Sequence, residues 1–563
     1  MIFDFRFVKL PVRALPIFLF AFTLLWYAAL VIRYPTHGAI GDDPAMYVQM
    51  ALDLAQRGTV VHEFPLLTKL FDKGFSWDAF ITPGYHIVRE TGFVAPNFAF
   101  GFPLLLSFGY RVFGKDALYW ATPLLGALSL VMTFALANEL FRDLSSTRRS
   151  WIGALAVLLL ATTPKQIQLA LVPMSDVPTQ LFCVGALWCA LRVSKSVISS
   201  DSLITASEKS LAHLEGDFSL RHAPLEMTRQ YAFAALCGLS LGIAYLIRHS
   251  ALALLVPLAL VAMRWGNSKR ERNFLLALAL VIFVIIIAPD FIYRANALGS
   301  PFAVESPESA QTSFYDAPRQ FLQMLAALFS VTGLGPIVLV APFAWWILRR
   351  EQRDCFVRHK PSPRNDKFAA AILILWLFAF MVLHAPLVLT GVFENNLRYL
   401  LPAYPAITLL IARGVVALFE WGANAVRAPR LSHYQPTRRD FAWLCAIVTT
   451  LLFFLAIRAL ISPERFVLRA YGWMSETARG DMNALNEQLP RDAVIGVSDQ
   501  MAGATMLYAQ RDMFRPNNFL EPAREFPQFL QQMKNENRAV FLLGDWKCEG
   551  DASERLPEWL GEY

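Results

Sequence analysis

Two adjacent carboxylates stand where an apolar run ends. The stretch GAIGDDPAMYVQMALDLAQRG, Gly38 to Gly58, follows directly on ALPIFLFAFTLLWYAALVI, which is long enough to cross a bilayer as a helix. Neighbouring carboxylates disfavour each other's ionisation. One of such a pair, Asp42 or Asp43 here, can hold a hydroxyl and take its proton, a role worth roughly 10²–10⁴ in rate. Other charges stand at comparable places: Asp176 between two apolar runs, Arg248 beside His249 between two more, and Glu394 and Arg398 ahead of another. Arginine offers a planar, permanently charged fork suited to phosphate. A carboxylate base and an arginine clamp at a bilayer surface would fit displacement of a lipid-linked phosphate by an alcohol.

Each residue also has a structural reading. Asp176, followed by Val177 and Pro178, would serve as a helix N-cap. Arg248 would snorkel to lipid headgroups, Arg398 would anchor a helix end, and Asp42 and Asp43 would be solvated loop residues. His249 reads as a packing residue and stays outside the candidate set. Charges beside apolar helix ends are costly unless solvated or paired. One shared wet cavity accounts for the set most economically.

The elements that must position these residues follow from composition. Of 563 residues, 56% are hydrophobic and only 17% charged, against about a quarter charged in ordinary soluble domains. Apolar runs of about 17–25 residues recur, each sufficient for one crossing. The fold class is therefore an α-helical polytopic membrane protein, not a β-barrel with its short alternating segments. The net charge of +7 resides in alternate loops, as expected of cytoplasmic loops, and does not indicate a nucleic-acid partner. The six cysteines are scattered without metal-ligand spacing.

Placing the basic loops inside gives about eleven spans, with the N-terminus cytoplasmic. Span one covers 14–32 and leads into a long outer segment, 33–116, whose VQMALDLAQ is an amphipathic stretch expected along the membrane interface. Span two covers 117–141, and spans three and four (151–164 and 177–193) form a hairpin with PKQIQLALVPMSDVP as its outer turn. Spans five and six (231–247 and 250–264) meet at IRHS; span seven ends near Pro289, span eight at RREQRD, span nine at GVFENNLRYLLP. Span ten descends from there, and span eleven covers 441–461. The membrane domain is thus 1–461. Residues 462–563 read as a small extracytoplasmic α/β domain, with DAVIGVSD and RAVFLLGDW as strands and EFPQFLQQMKNEN as a helix.

The motifs carry a resemblance. GDDPAMYVQMALDLAQRG resembles the first-loop acidic motif of the GT-C glycosyltransferases, especially the family 39 type that includes protein O-mannosyltransferases and lipid A aminoarabinose transferases. PNFAFGFPLLLSFGYRVFGKDALYWATPLLGALSLVMTFALANELF is similar to that family's loop helix and second span. VPMSDVPTQLF resembles its acidic turn, GLSLGIAYLIRHSALALLVPLAL its next hairpin, and ANALGSPF and NNLRYLLPAYPAITLLIARG further recurrent elements. Each motif is short, but the ordered set covers most of 14–420.

The resemblance implies a multi-pass protein of the plasma (inner) membrane whose outward-facing site takes a polyprenyl-phosphate-linked sugar. Transfer to a lipid, glycan or protein acceptor would proceed by direct, inverting displacement. The family's first-loop acid falls on Asp43, four positions before Tyr47, or on Asp42 when GDDP is matched directly. Asp176 matches the second acidic position, and Arg248 and Arg398 stand where basic residues meet the lipid phosphate. Tyr47, Glu394 and Tyr399 are expected to contact substrate. No cofactor is required, because arginines supply the positive charge; a divalent cation between Asp42 or Asp43 and Asp176 is the alternative. A lipid-linked sugar transporter or flippase is the rival reading, and a non-catalytic protein of the same fold a further one.

Overall fold

A computed structural model of the chain describes residues 14–87, 93–210, 218–302, 313–330, 333–340, 364–386, 395–427, 464–467 and 470–543. The first apolar run is a single helix, α1 (Leu15–Arg33), about 28 Å long at 1.5 Å per residue and so matched to a hydrocarbon core. After it come α2 (Asp42–Arg57), strand β1 (His62–Glu63), α3 (Pro65–Leu70), and strands β2 (Tyr85–Ile87) and β3 (Phe93–Pro96). The three strands form an antiparallel sheet in the order β1-β3-β2. An amphipathic helix, α4 (Gly101–Phe113), then precedes the long apolar α5 (Ala117–Leu140).

The remaining bundle comprises α6 (Ser146–Thr162), α7 (Pro164–Ala170), α8 (Asp176–Ser210), α9 (Phe218–Ile247), α10 (Leu255–Ala262), α11 (Lys269–Ala297), α12 (Ala317–Leu328), α13 (Arg364–His384) and α14 (Tyr404–Arg427). Among the described residues seven helices are long and apolar enough to cross a membrane, or eight if the bent pair α6–α7 is one span. The expected span eleven and the end of span eight lie outside the described residues. Expected span six is a 3₁₀ turn, His249–Leu254, running into the short α10.

The outer turn PKQIQLALVPMSDVP is enclosed, since every residue from Pro164 to Val177 is buried. Pro164 removes a helical N–H and holds Thr163 extended, so the chain breaks there and α7 leaves α6 at 70° to pack inside the bundle. The stretch VQMALDLAQ, expected along the membrane interface, is packed against the rest of the protein over its first half. In α2 every residue from Pro44 to Ala51 is buried, and so is Asp53. Its polar side is satisfied internally: Asp53 accepts from Arg57 at 2.7 Å and pairs with His62 Nδ1 at 2.9 Å. Within the first outer segment, α4 exposes an apolar face, with Leu104, Phe108, Val112 and Phe113 facing outward.

The C-terminal unit forms as its pattern predicts. Strands β4 (Val494–Gly496), β5 (Asp512–Phe514) and β6 (Val540–Leu542) make a parallel sheet in the order β5-β4-β6, with α15 (Glu476–Gln488), α16 (Asp499–Ala504) and α17 (Pro522–Asn535) around it. It shares a core with the first loop. Phe80 packs on Phe519 and Phe529 at 5.7 and 5.6 Å between ring centroids, and Phe514 meets Phe529 at 4.7 Å. Polar contacts follow the same seam: Arg515 donates to Asp78 at 3.0 Å and to Asp499 at 2.7 Å, and Glu525 accepts from the Ser76 N–H at 2.9 Å.

Phe→Ala in a packed core costs about 3–5 kcal/mol. Phe80→Ala, although it lies in the first loop, is therefore expected to speed amide exchange across 494–535 in the C-terminal unit. Native exchange there would mean that the aromatic seam does not hold the unit.

Candidate active site

Helix α2 carries Asp42 and Asp43 in its first turn, where aligned peptide dipoles favour negative charge. The preceding Gly41 has φ of 79°, a conformation that residues with a Cβ rarely adopt, and so turns the chain sharply into the helix. Tyr47 stands about one turn beyond Asp43 on the same face. Its hydroxyl shares a hydrogen bond of 2.9 Å with Ser175 Oγ, and its ring meets Phe98 and Phe102 edge-on. Tyr47 thereby ties the acidic helix to the residue before Asp176.

Asp176 opens α8 and is fully buried. Arg248, held extended between α9 and the 3₁₀ turn at His249, donates from Nη1 to Asp176 Oδ1 at 2.5 Å. Arg398 lies in a 3₁₀ stretch, Asn395–Ala403, that leads into α14. It donates from Nη1 to Asp43 Oδ2 at 2.6 Å and from Nη2 to the Tyr399 hydroxyl at 3.2 Å. Both guanidinium carbons sit 5.0 Å from the centroid of the Tyr399 ring, within range for attraction to its π face. The side chains form a continuous row: Asp43, Arg398, Tyr399, Arg248, Asp176.

Burial distinguishes the two ends of that row. The side chains of Asp43 and Arg398 are 19% and 24% exposed, whereas those of Asp176 and Arg248 are 0% and 11%. The first pair is the more open to a ligand; in the second Asp176 is enclosed, while Arg248 keeps a partly exposed edge. Asp176 Oδ2 has no hydrogen-bond partner among the described residues. His249 turns away from the row, with Nε2 3.0 Å from Asp290 Oδ2, which also accepts from Arg294 Nε at 3.1 Å. That trio, with Asp290 and Arg294 buried, anchors the segment from which Arg248 projects.

Of the residues singled out in the sequence, Asp43, Asp176, Arg248, Arg398 and Tyr399 thus come together, and Tyr47 joins them through Ser175. Asp42 sits beside them in the first turn of α2. Glu394 lies outside the described residues. Three contributors escaped the sequence reading. Ser175 is next to a residue already chosen, and His384 closes α13 with its ring 5.3 Å from that of Tyr399. Tyr471, in the segment before α15, accepts a hydrogen bond of 2.8 Å from the Asp42 N–H. Among the described residues no three His, Cys, Asp or Glu side chains converge as a metal cage would require. Asp43 and Asp176 are each engaged by an arginine, Arg398 and Arg248 respectively.

No protein-family model matches the sequence, and no curated protein matches it. Solved structures do match in shape. ArnT from Cupriavidus metallidurans bound to undecaprenyl phosphate superposes with a TM-score of 0.50 at 15% identity, over 94% of this chain and 90% of that one. The chain shares its overall fold with that membrane protein. The apo state of the same ArnT gives 0.49 at 15% identity, over 88% and 84% of the two chains. Archaeal oligosaccharyltransferase AglB from Archaeoglobus fulgidus, in complex with an inhibitory peptide and a dolichol-phosphate, gives 0.49 at 12% identity, over 93% of this chain and 69% of that one.

Removing one partner of an enclosed ion pair leaves a buried charge uncompensated, at a cost of about 3–5 kcal/mol. Arg248→Ala is therefore expected to lower the apparent unfolding temperature in detergent, and adding Asp176→Asn should restore much of the loss. An equal temperature for wild type and Arg248→Ala would show that the pair contributes nothing to stability.

Proposed function

We propose that the chain is an integral membrane glycosyltransferase that moves a sugar from a polyprenyl-phosphate carrier to an extracytoplasmic acceptor hydroxyl. The observation that carries this reading is the row Asp43–Arg398–Tyr399–Arg248–Asp176, which joins a reachable carboxylate to two guanidinium groups at the ends of apolar helices. The fold adds support, since ArnT, with which it is shared, has been solved with undecaprenyl phosphate bound.

In the proposed reaction the acceptor oxygen attacks the anomeric carbon from the face opposite the phosphate. The new C–O bond forms as the sugar–phosphate bond breaks, and the anomeric configuration inverts. The acceptor proton passes to the Asp43 carboxylate, and the bonding pair leaves with the lipid phosphate. Arg398 and Arg248 receive that charge with N–H donors already oriented, so little reorganisation is needed as it develops. A guanidinium carries five donors, more than one carboxylate accepts, so Arg398 can hold Asp43 and a phosphate oxygen together. Tyr399 keeps both cations at fixed separation despite their repulsion. Asp42 is the second candidate for the base, and Tyr47 holds its helix against α8.

The proposed setting is a bacterial plasma membrane, with the N-terminus cytoplasmic and the C-terminal unit on the outer side. The basic loops support that orientation. As a transporter, the chain would instead move lipid-linked sugar across proteoliposomes without releasing free lipid phosphate.

The test is incubation of the purified protein with a panel of polyprenyl-phospho-sugars while lipid phosphate release is followed. Asp43→Asn is expected to slow transfer by roughly 10²–10⁴ with folding intact. Full activity in both Asp43→Asn and Asp42→Asn would remove the base assignment. Arg398→Ala should raise the donor KM more than the acceptor KM, and equal donor KM values would return Arg398 to a structural role.

A further inference from the structure

The first turn of α2 is held by residues that lie far away in the chain. Its N-cap is Gly41, which has no side chain to satisfy the N–H groups that open the helix. The Asp42 N–H is instead accepted by the Tyr471 hydroxyl at 2.8 Å, across 429 residues of sequence. The Gly41 N–H donates to the Gln500 carbonyl at 2.9 Å, and the Ile40 N–H to the Gly472 carbonyl at 3.3 Å.

Packing leaves little slack in this arrangement. A Cβ on Gly41 would lie 2.9 Å from the Tyr471 ring, and one on Gly472, whose φ is +94°, would lie 2.3 Å from Pro44 Cγ. On the other flank a Cβ on Gly503 would meet Ala45 Cβ at 2.3 Å. The C-terminal unit therefore closes on the helix start at glycine-sized clearance from both sides. A tyrosine that accepts the Asp42 N–H still has its own proton to donate.

We propose that Tyr471 is a positioning residue: its hydroxyl fixes the first turn of α2 so that the Asp43 carboxylate meets Arg398, which makes the C-terminal unit part of the catalytic site. The proposal rests on the glycosyltransferase reading for its kinetic consequence, though not for its structural one. A rotation of the first turn would carry Asp43 away from Arg398, and kcat would fall while both substrates still bound.

The test compares wild type, Tyr471→Phe and Gly472→Ala in the full-length protein. Tyr471→Phe keeps the ring and loses only the hydroxyl, which accepts the Asp42 N–H. It is expected to speed amide exchange over residues 40–46 and to lower kcat about tenfold per folded molecule, with both KM values within about twofold. Gly472→Ala, with Tyr471 intact, should reproduce the kcat loss by pressing on Pro44. Unchanged exchange over 40–46 in Tyr471→Phe overturns the proposal, as does a loss of activity fully explained by less folded protein. Should the wild type transfer from no polyprenyl-phospho-sugar, the glycosyltransferase reading fails, and the exchange comparison alone decides the role of Tyr471.

Discussion

The dominant constraint on this molecule is the cost of a carboxylate taken out of water at the end of an apolar helix. Asp176 is fully buried, and a buried ion is tolerated only with a partner in good geometry. Arg248 supplies that partner, and to do so the start of α8 must sit against the junction that follows α9. Arg248 also needs a fixed base, which the Asp290–His249–Arg294 trio provides from α11. Charge pairing therefore dictates which helix ends are neighbours in a bundle where apolar contact alone would tolerate many arrangements. The same pairing that holds the helices places two cations on one tyrosine ring, so the stability of the fold and the chemistry of the site have a common origin.

A second consequence concerns the first loop. Helix α2 has to bring its acidic turn to Arg398, and this forces the body of the helix inside, where Gln49 and Asp53 are buried along with the apolar residues. Their polar needs are met by His62 and Arg57, which ties β1 to the helix. The loop so formed does not close its own core. Phe80 completes it only against Phe519 and Phe529 of the C-terminal unit. The acidic turn is consequently braced on one side by spans and on the other by residues from the far end of the described chain.

The sequence displayed some of this and concealed the rest, for identifiable reasons. Spans were legible because twenty consecutive apolar residues have few other uses, and the C-terminal strands because short apolar runs flanked a strongly amphipathic helix. Asp43, Asp176, Arg248 and Arg398 stood out because charge at the edge of an apolar run is unusual. The burial of α2 was not legible: one apolar face suits an interface or an interior equally, and only tertiary partners such as His62 reveal which applies. Pro164 marked a helix break without saying that the chain beyond it would stay buried. Tyr471 gave no local signal, since an aromatic residue beside a glycine is ordinary until Gly41 and Asp42 are seen against it.

The resting pairs also bear on how the proposed reaction would be kept from misfiring. A carboxylate free beside an activated sugar would accept a proton from water as readily as from the intended alcohol. Here the Asp43 carboxylate is paired with Arg398. A phosphate entering beside Tyr399 would compete for the same guanidinium and draw some of its donors away, and the carboxylate would become a stronger base as they left. On the proposed reading, proton acceptance is thereby coupled to the presence of the leaving group, with no moving lid required. Arg248 is less free to make such an exchange, because its partner Asp176 is enclosed. The exposed pair is the one that can change partners, and the buried pair is the fixed reference against which it does so.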